Sequence, residues 1–458
     1  MFKELFKRQL IEDIISSRSL INFILILVTL IVFPLIFANH YKNLQEEYSK
    51  NIAENNKRLE VSSRSLVNLL DTEQKLVMRP KATKYISEAC EDEIPQGLLF
   101  KLEEIKLLSK AKESGSSFFY SPDLTFIVQF LLSFFAIVLT FNSLTFEKEK
   151  GTLRLVFSNS IKRAYLILTK YLSALITVVF PLLFGLIISL ILLNLTGVIS
   201  FSFSIFFDFL FFFLISLFYI SFFILLGIFC STVTHSSKNS LVLCLLFWIL
   251  LVVIFPKSAG LLLNLKHFEV PTEKQIEEVA ERTYRGIWDS YSDVPRYAGE
   301  GWEESTKLNV KISGEAQEAK QEIYDHYLRK KINAVLTLKR INSISPASLF
   351  EYSASSIAGT GLFHFQNLWT QVKHYQNDFI DFFKREDMKD EESYHLFFHP
   401  DYLSRKPADF NKIPKFEEKE IRKAARLKDT LQYTGILAFY NLLLFILVFY
   451  RFSKYDVR

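Results

Sequence analysis

The sequence predicts an all-α, polytopic membrane protein with six transmembrane helices and a mainly helical extracytoplasmic domain assembled from two insertions. Three observations carry this reading. Half of the 458 residues are hydrophobic and 46 are Phe, and they gather in blocks rather than at amphipathic spacing, which is a membrane composition. Six blocks approach or exceed the roughly 20 residues that cross a hydrocarbon core about 30 Å thick. No block contains Asp, Glu, Lys or Arg.

In chain order, the first block is residues 20–38. It is longer than the apolar part of a secretory leader and has no small-x-small cleavage site beside Asn39 and His40, so it reads as a retained span. The others are residues 124–144, 171–195, 209–230, 239–255 and 431–450. Lys and Arg near span ends are retained in the cytoplasm. They crowd the N-terminal segment (Lys3, Lys7, Arg8, Arg18), the second connection (Lys148, Lys150, Arg154, Lys162, Arg163, Lys170), the fourth (Lys238) and the tail (Arg451, Lys454, Arg458), and are missing from the third, TGVISFSFSIFFD. Both termini are therefore expected in the cytoplasm. The chain divides into residues 1–38, an outer insertion at 39–123, spans two to five at 124–255, a second outer insertion at 256–430, and the last span and tail at 431–458.

Both insertions read as helical. In HFQNLWTQVKHYQNDFIDFF, Phe365, Leu368, Trp369, Val372, Tyr375, Phe379 and Phe383 recur at spacings of three and four. Residues 272–291 and 317–341 show similar patterns, and residues 39–76 read as a polar helix leaving the first span. Residues 417–450 hold no Pro and one Gly, so one continuous helix is expected from the outer domain through the last span. ISPAS (344–348), AGTG (358–361) and FFHPDY (397–402) mark turns.

Missing chemistry narrows the function. No glycine is followed by lysine, so the chain has no phosphate loop for ATP, and H-E-x-x-H, G-x-S-x-G and C-x-x-C are also absent. The net charge of +5 is modest and split between compartments, which gives no reason to expect nucleic acid. Cys230 and Cys244 fall in spans and leave Cys90 alone outside, so no disulfide framework is expected. In HLFFHPD, His395, His399 and Asp401 are ligand types, but Pro400 interrupts the spacing and further ligands are lacking; a surface turn without metal is expected. Asp123 and Asp208 are expected as solvated caps at span ends, and Gln129, Asn142 and Asn194 as polar glue between helices. Pro34, Pro181, Gly185 and Gly227 are positions where spans are expected either to bend or to pack closely on a neighbour.

One charged break remains, FEKEKGTLRLVFSNSIKRAYLILTKYL at residues 146–172. Glu147, Lys148, Glu149 and Lys150 are expected on a continuation of span two, and Gly151 lets the chain leave the helix. Thr152 can cap a short helix whose Leu153, Val156 and Phe157 share one face. Periodicity alone leaves that face open to lipid or to a protein groove.

The E-x-E-x-G-T-L turn at 147–153, the S-N-S-x-x-R continuation to Arg163, and Lys170 before the next span resemble the type 2 ATP-binding-cassette exporter permeases. S-P-A-S at 345–348 and A-G-T-G at 358–361 narrow the resemblance to a bacterial branch with large insertions after spans one and five. The resemblance implies that residues 147–163 hold a coupling helix docked in a groove of a separate cytoplasmic nucleotide-binding ATPase subunit. Glu147, Glu149, Gly151, Thr152, Leu153, Arg154, Val156, Phe157 and Arg163 would lie at or near the contact. It also implies an interfacial elbow helix at the N-terminus, where Phe2, Leu5, Phe6, Leu10, Ile14 and Ile15 form a stripe beside Lys3, Lys7 and Arg8. A second permease subunit, identical or similar, and a location in the bacterial inner membrane follow from the same resemblance. So do re-entrant outer segments, for which SAGLLLNL (258–265) is a candidate. ATP and Mg would bind the partner, and this chain would bind no cofactor. The large insertions leave a second expectation open, an ATP-driven mechanical transmitter acting on an extracytoplasmic protein without moving a substrate. Uncharged spans and absent motifs count against a stand-alone enzyme or channel.

Overall fold

Each apolar block lies in a helix long enough to cross a membrane: Ser17–Ser62, Leu124–Glu149, Arg163–Leu195, Phe203–Val233, Ser237–Ile254 and Lys423–Ser453, hereafter spans one to six. The computed structural model describes residues 2–88, 97–102, 104–108, 123–158, 161–256, 271–291, 302–395, 403–420 and 422–455. Span four is the packing post of the bundle, with 67% of its most apolar stretch buried against 17% for span five. Its sequence is apolar on every face, which suits a helix enclosed by others. At Gly185 and Gly227 the close-packing reading holds. A Cβ on Gly185 would stand 2.1 Å from Leu30 Cδ1, and one on Gly227 would stand 1.9 Å from Thr140 Oγ1.

The N-terminal helix Phe2–Ile15 packs on span three, where Ser173 Oγ donates to Asp13 Oδ2 (2.5 Å) and Phe2 meets Tyr165 edge-on. This end of the bundle, which also receives the C-terminus, is called the terminal face; the other is the insertion face. On the insertion face, span one runs unbroken to Ser62, about 69 Å of helix at 1.5 Å per residue. The reading of residues 39–123 as helical is incomplete. After a short helix, Leu66–Leu70, the chain forms an antiparallel sheet of β1 (Gln74–Val77), β2 (Gly97–Phe100) and β3 (Ile105–Leu108), in that order. Four-residue strands are too short to show a period of two, and tertiary contacts hold them. Phe100 packs on Tyr375 and Phe379, and the Asn55 amide bonds both the N–H and the C=O of Lys75, closing the β1 edge.

The second insertion begins with Glu273–Ser290, started by a capping box between Thr272 and Gln275. It packs antiparallel on Trp302–Asn342, where Lys320 pairs with Glu281 (2.5 Å). Gly361–Asp387 turns Phe365, Leu368, Val372, Tyr375, Phe379 and Phe383 into the core shared with the sheet. Between these lies Pro346–Ala358, bounded by Ser345 as N-cap and by Gly359 in the left-handed region. It is buried among the spans: Ser345 Oγ donates to the Leu251 carbonyl (2.5 Å), and Phe350 stacks on Tyr219 of span four with centroids 4.5 Å apart. We call it the wedge helix. Gly359 has φ +68, and a Cβ there would lie 3.0 Å from Arg426 Nε. Gly359→Ala is therefore expected to cost about 1–2 kcal/mol, seen as a lower thermal midpoint in detergent. An unchanged midpoint would mean that the wedge terminus relaxes freely.

Three further expectations change. The last helix begins at Lys423, not Glu417, because residues 417–420 are held outside any helix: the Lys419 N–H and C=O bond the Gln371 side chain (2.7 and 2.9 Å), and Glu418 is held by His364 and the Arg79 N–H. Asp123 and Asp208 are buried rather than solvated. Asp123 accepts from the N–H groups of Phe126 (2.7 Å) and Glu88 (2.8 Å), and its burial pushes the carboxyl up to about 7. Asp208 pairs with Arg426 at 3.3 Å. Of the histidine motif, His395 bonds Asp387 (3.0 Å), while His399, Asp401, Cys90 and the segment 258–265 lie outside the described residues. Among the described residues no group of three metal-ligating side chains converges.

Candidate coupling site

The charged break sits on the terminal face, between spans two and three. The helix of span two is interrupted before it reaches the break. Residues 141–144 form a turn, and the N–H groups of Leu144 and Thr145 both donate to Ser231 Oγ of span four (2.9 Å each). A five-residue helix, Thr145–Glu149, follows; Gly151 takes φ +71, and Thr152–Ser158 forms the second short helix. Thr152 is its first residue rather than its cap, with Oγ1 3.4 Å from the Glu147 carbonyl. Nothing lies within 4 Å of a Cβ built on Gly151, so only the backbone demands glycine there. Gly151→Ala is expected to cost about 1 kcal/mol in thermal unfolding and leave packing unchanged.

Each charge has a defined task. Lys170 of span three bonds Glu147 at 2.7 Å, both side chains being largely buried. Lys148 Nζ donates to the carbonyls of Ser231, Thr232 and Thr234 (2.8, 2.8 and 2.9 Å), groups that the end of the span-four helix at Val233 leaves without helical partners. Glu149 does the reverse at the start of span five, accepting from Ser237 N–H (2.7 Å) and Ser237 Oγ (2.9 Å). Arg163 donates to the carbonyls of Phe452 (3.2 Å) and Ser453 at the end of span six. Glu147, Lys148, Glu149 and Arg163 thus tie one segment to spans three, four, five and six.

The apolar stripe faces inward. Leu153 is 3% exposed, and Val156 and Phe157 pack on the bundle, Phe157 lying 6.0 Å from Phe452 and 5.5 Å from the Arg163 guanidinium. The side chain of Arg154 is outside the described set. Exposed instead are Phe146 (48%), Lys150, Gly151 and Leu155 (66%), with Lys150 Nζ 4.2 Å from the Phe146 ring centroid. Neither Phe146 nor Leu155 is among the contact residues that the family resemblance implies. The sequence signals are weak: Leu155 lies off the stripe of its short helix, and Phe146 is a lone aromatic before the charged run.

These features define a class: a polytopic helical membrane subunit with a charged elbow between spans two and three and no phosphate loop in its sequence. The chain belongs to the ABC-2 family transporter proteins, whose sequence model matches residues 9–457. A comparison with curated proteins finds no match. The protein is a membrane-embedded permease subunit of an ATP-binding-cassette transporter, a type of subunit that is typically not itself catalytic.

Proposed function

We propose that the permease works in an exporter and is driven by a separate cytoplasmic ATPase subunit, which binds ATP and Mg and docks on the elbow between spans two and three. The reading includes a second permease subunit, identical or similar, and places both termini on the cytoplasmic side of a bacterial inner membrane. One observation carries it: residues 147–163 bond to span three and to the ends of spans four, five and six while leaving Phe146, Lys150, Gly151 and Leu155 exposed. A segment so tied moves the spans when it is pushed.

In this mechanism, closure of the ATPase dimer on ATP displaces the elbow. Lys148, Glu149 and Arg163 then carry the displacement to spans four, five and six, shifting the bundle between two packings. Glu147, Leu153, Val156 and Phe157 act from inside, holding the elbow to its own chain, and the exposed set forms the contact. Purification of the full chain from its native membrane tests the reading. A soluble ATPase should copurify, and its hydrolysis should rise when the permease is present. A chain that purifies alone under every nucleotide condition would refute the proposal.

A second reading has its own support. Span one continues to Ser62 in the insertion domain and the wedge helix joins that domain to the bundle, which suits a transmitter acting on an extracytoplasmic protein. ATP turnover in vesicles without cargo movement would select it.

A further inference from the structure

Span six is gripped at both ends, and the grips belong to different parts of the chain. At the terminal face Arg163 holds the carbonyls of Phe452 and Ser453, and Phe157 packs on Phe452. At the insertion face Arg426, in the first turn of the same helix, pairs with Asp208 of span four (3.3 Å) and donates to the Ile357 carbonyl in the last turn of the wedge. The next two carbonyls of that turn are held by the first insertion: Thr83 Oγ1 donates to Ala358 (2.7 Å) and Lys81 Nζ to Gly359 (2.9 Å). Lys81 is itself largely desolvated, which lowers its pKa to about 8.

Along the insertion-side half of span six, the wedge lies against the helix, with Tyr352 5.5 Å from Tyr433 and Thr434 Oγ1 3.3 Å from Ser353 Oγ. Just before the span, Glu418 accepts from the Arg79 N–H (2.7 Å) and meets His364 Nε2 (2.5 Å), joining the first insertion to the helix Gly361–Asp387. The span itself has 31 residues, about 46 Å of helix, with no Pro inside. Such a helix has no built-in kink and transmits axial displacement. The Arg426–Asp208 pair, beside which Lys423 stands 4.0 Å from the same carboxylate, resists slippage, because pulling the guanidinium away leaves two largely buried charges less well compensated.

We propose that span six is a strut: it carries displacement of the coupling elbow to the insertion domain, with Arg163 as its grip at one end and Arg426 at the other. This rests on the coupling function proposed above, and the two are separable by experiment. The complex of full-length permease with its copurified ATPase, in lipid nanodiscs, is followed by hydrogen–deuterium exchange with and without MgATP plus vanadate. In the wild type, nucleotide should change exchange in residues 145–158 and, by roughly tenfold, in residues 361–387 and 414–420. In Arg426→Met the elbow response and ATPase stimulation should persist while the insertion-domain response is lost. Asp208→Asn, which keeps the shape and removes the charge partner, should weaken that response in the same direction, and thermal unfolding reports whether either variant is folded. No response at residues 145–158 would sink the coupling function itself. A response there with none in the wild-type insertion domain, or an insertion-domain response retained in a folded Arg426→Met or Asp208→Asn complex, would overturn the strut.

Discussion

Leu155→Asp is expected to release the ATPase subunit while the permease still inserts and folds. Leu155 is 66% exposed on the outward side of the Thr152–Ser158 helix, so a carboxylate there meets water in the free chain and costs the fold little. In a complex the same carboxylate would be desolvated without a partner. A loss of about 3 kcal/mol, roughly a hundredfold in Kd, is the scale to look for in a pull-down titration. Leu153→Asp supplies the contrast. At 3% exposure it places a charge inside the permease's own core, so it should lower the thermal midpoint and the yield before any binding is measured. Equal affinity of Leu155→Asp and wild type for the ATPase would remove the exposed face from the interface.

Lys148→Met should have the second large effect. Its ammonium satisfies three carbonyls at the end of span four, and the ring of Tyr455 lies 4.7 Å away. Methionine keeps most of the stem and loses every bond. Charge-assisted bonds contribute about 1.5–3 kcal/mol each, but water can enter this partly buried site, so a net loss of about 3 kcal/mol is expected in denaturation. The functional consequence is specific: ATPase binding should survive, because Lys148 points into the bundle, while stimulation of hydrolysis falls. Lys148→Arg retains charge and donors and should recover part of both quantities. Normal stimulation in a destabilised Lys148→Met would show that the clamp is only structural.

The spans were legible because hydrocarbon imposes a length and a composition on each one separately. Any uncharged block near 20 residues had to be a helix, whatever its neighbours. The elbow was legible in part. Its charge, its glycine and its short helix are local features, and Gly151 at φ +71 is what a charged turn around one glycine requires. Which side of that helix faces its own chain was hidden, since the three-and-four rule shows that Leu153, Val156 and Phe157 share a face without saying what covers it. The same limit governs Asp123 and Asp208: a carboxylate at the end of a span reads as solvated until Glu88 and Arg426 arrive from 35 and 218 residues away.

Membrane class, the number of spans and the presence of a charged break were written in local composition, because desolvating a peptide in lipid is decided block by block. The sheet of the first insertion, the seating of the wedge and the partners of Lys148, Glu149 and Arg163 were settled by tertiary structure alone. Each depends on groups distant in sequence meeting where a helix ends, and a lone carbonyl or N–H at that end accepts any suitable partner that the packing delivers.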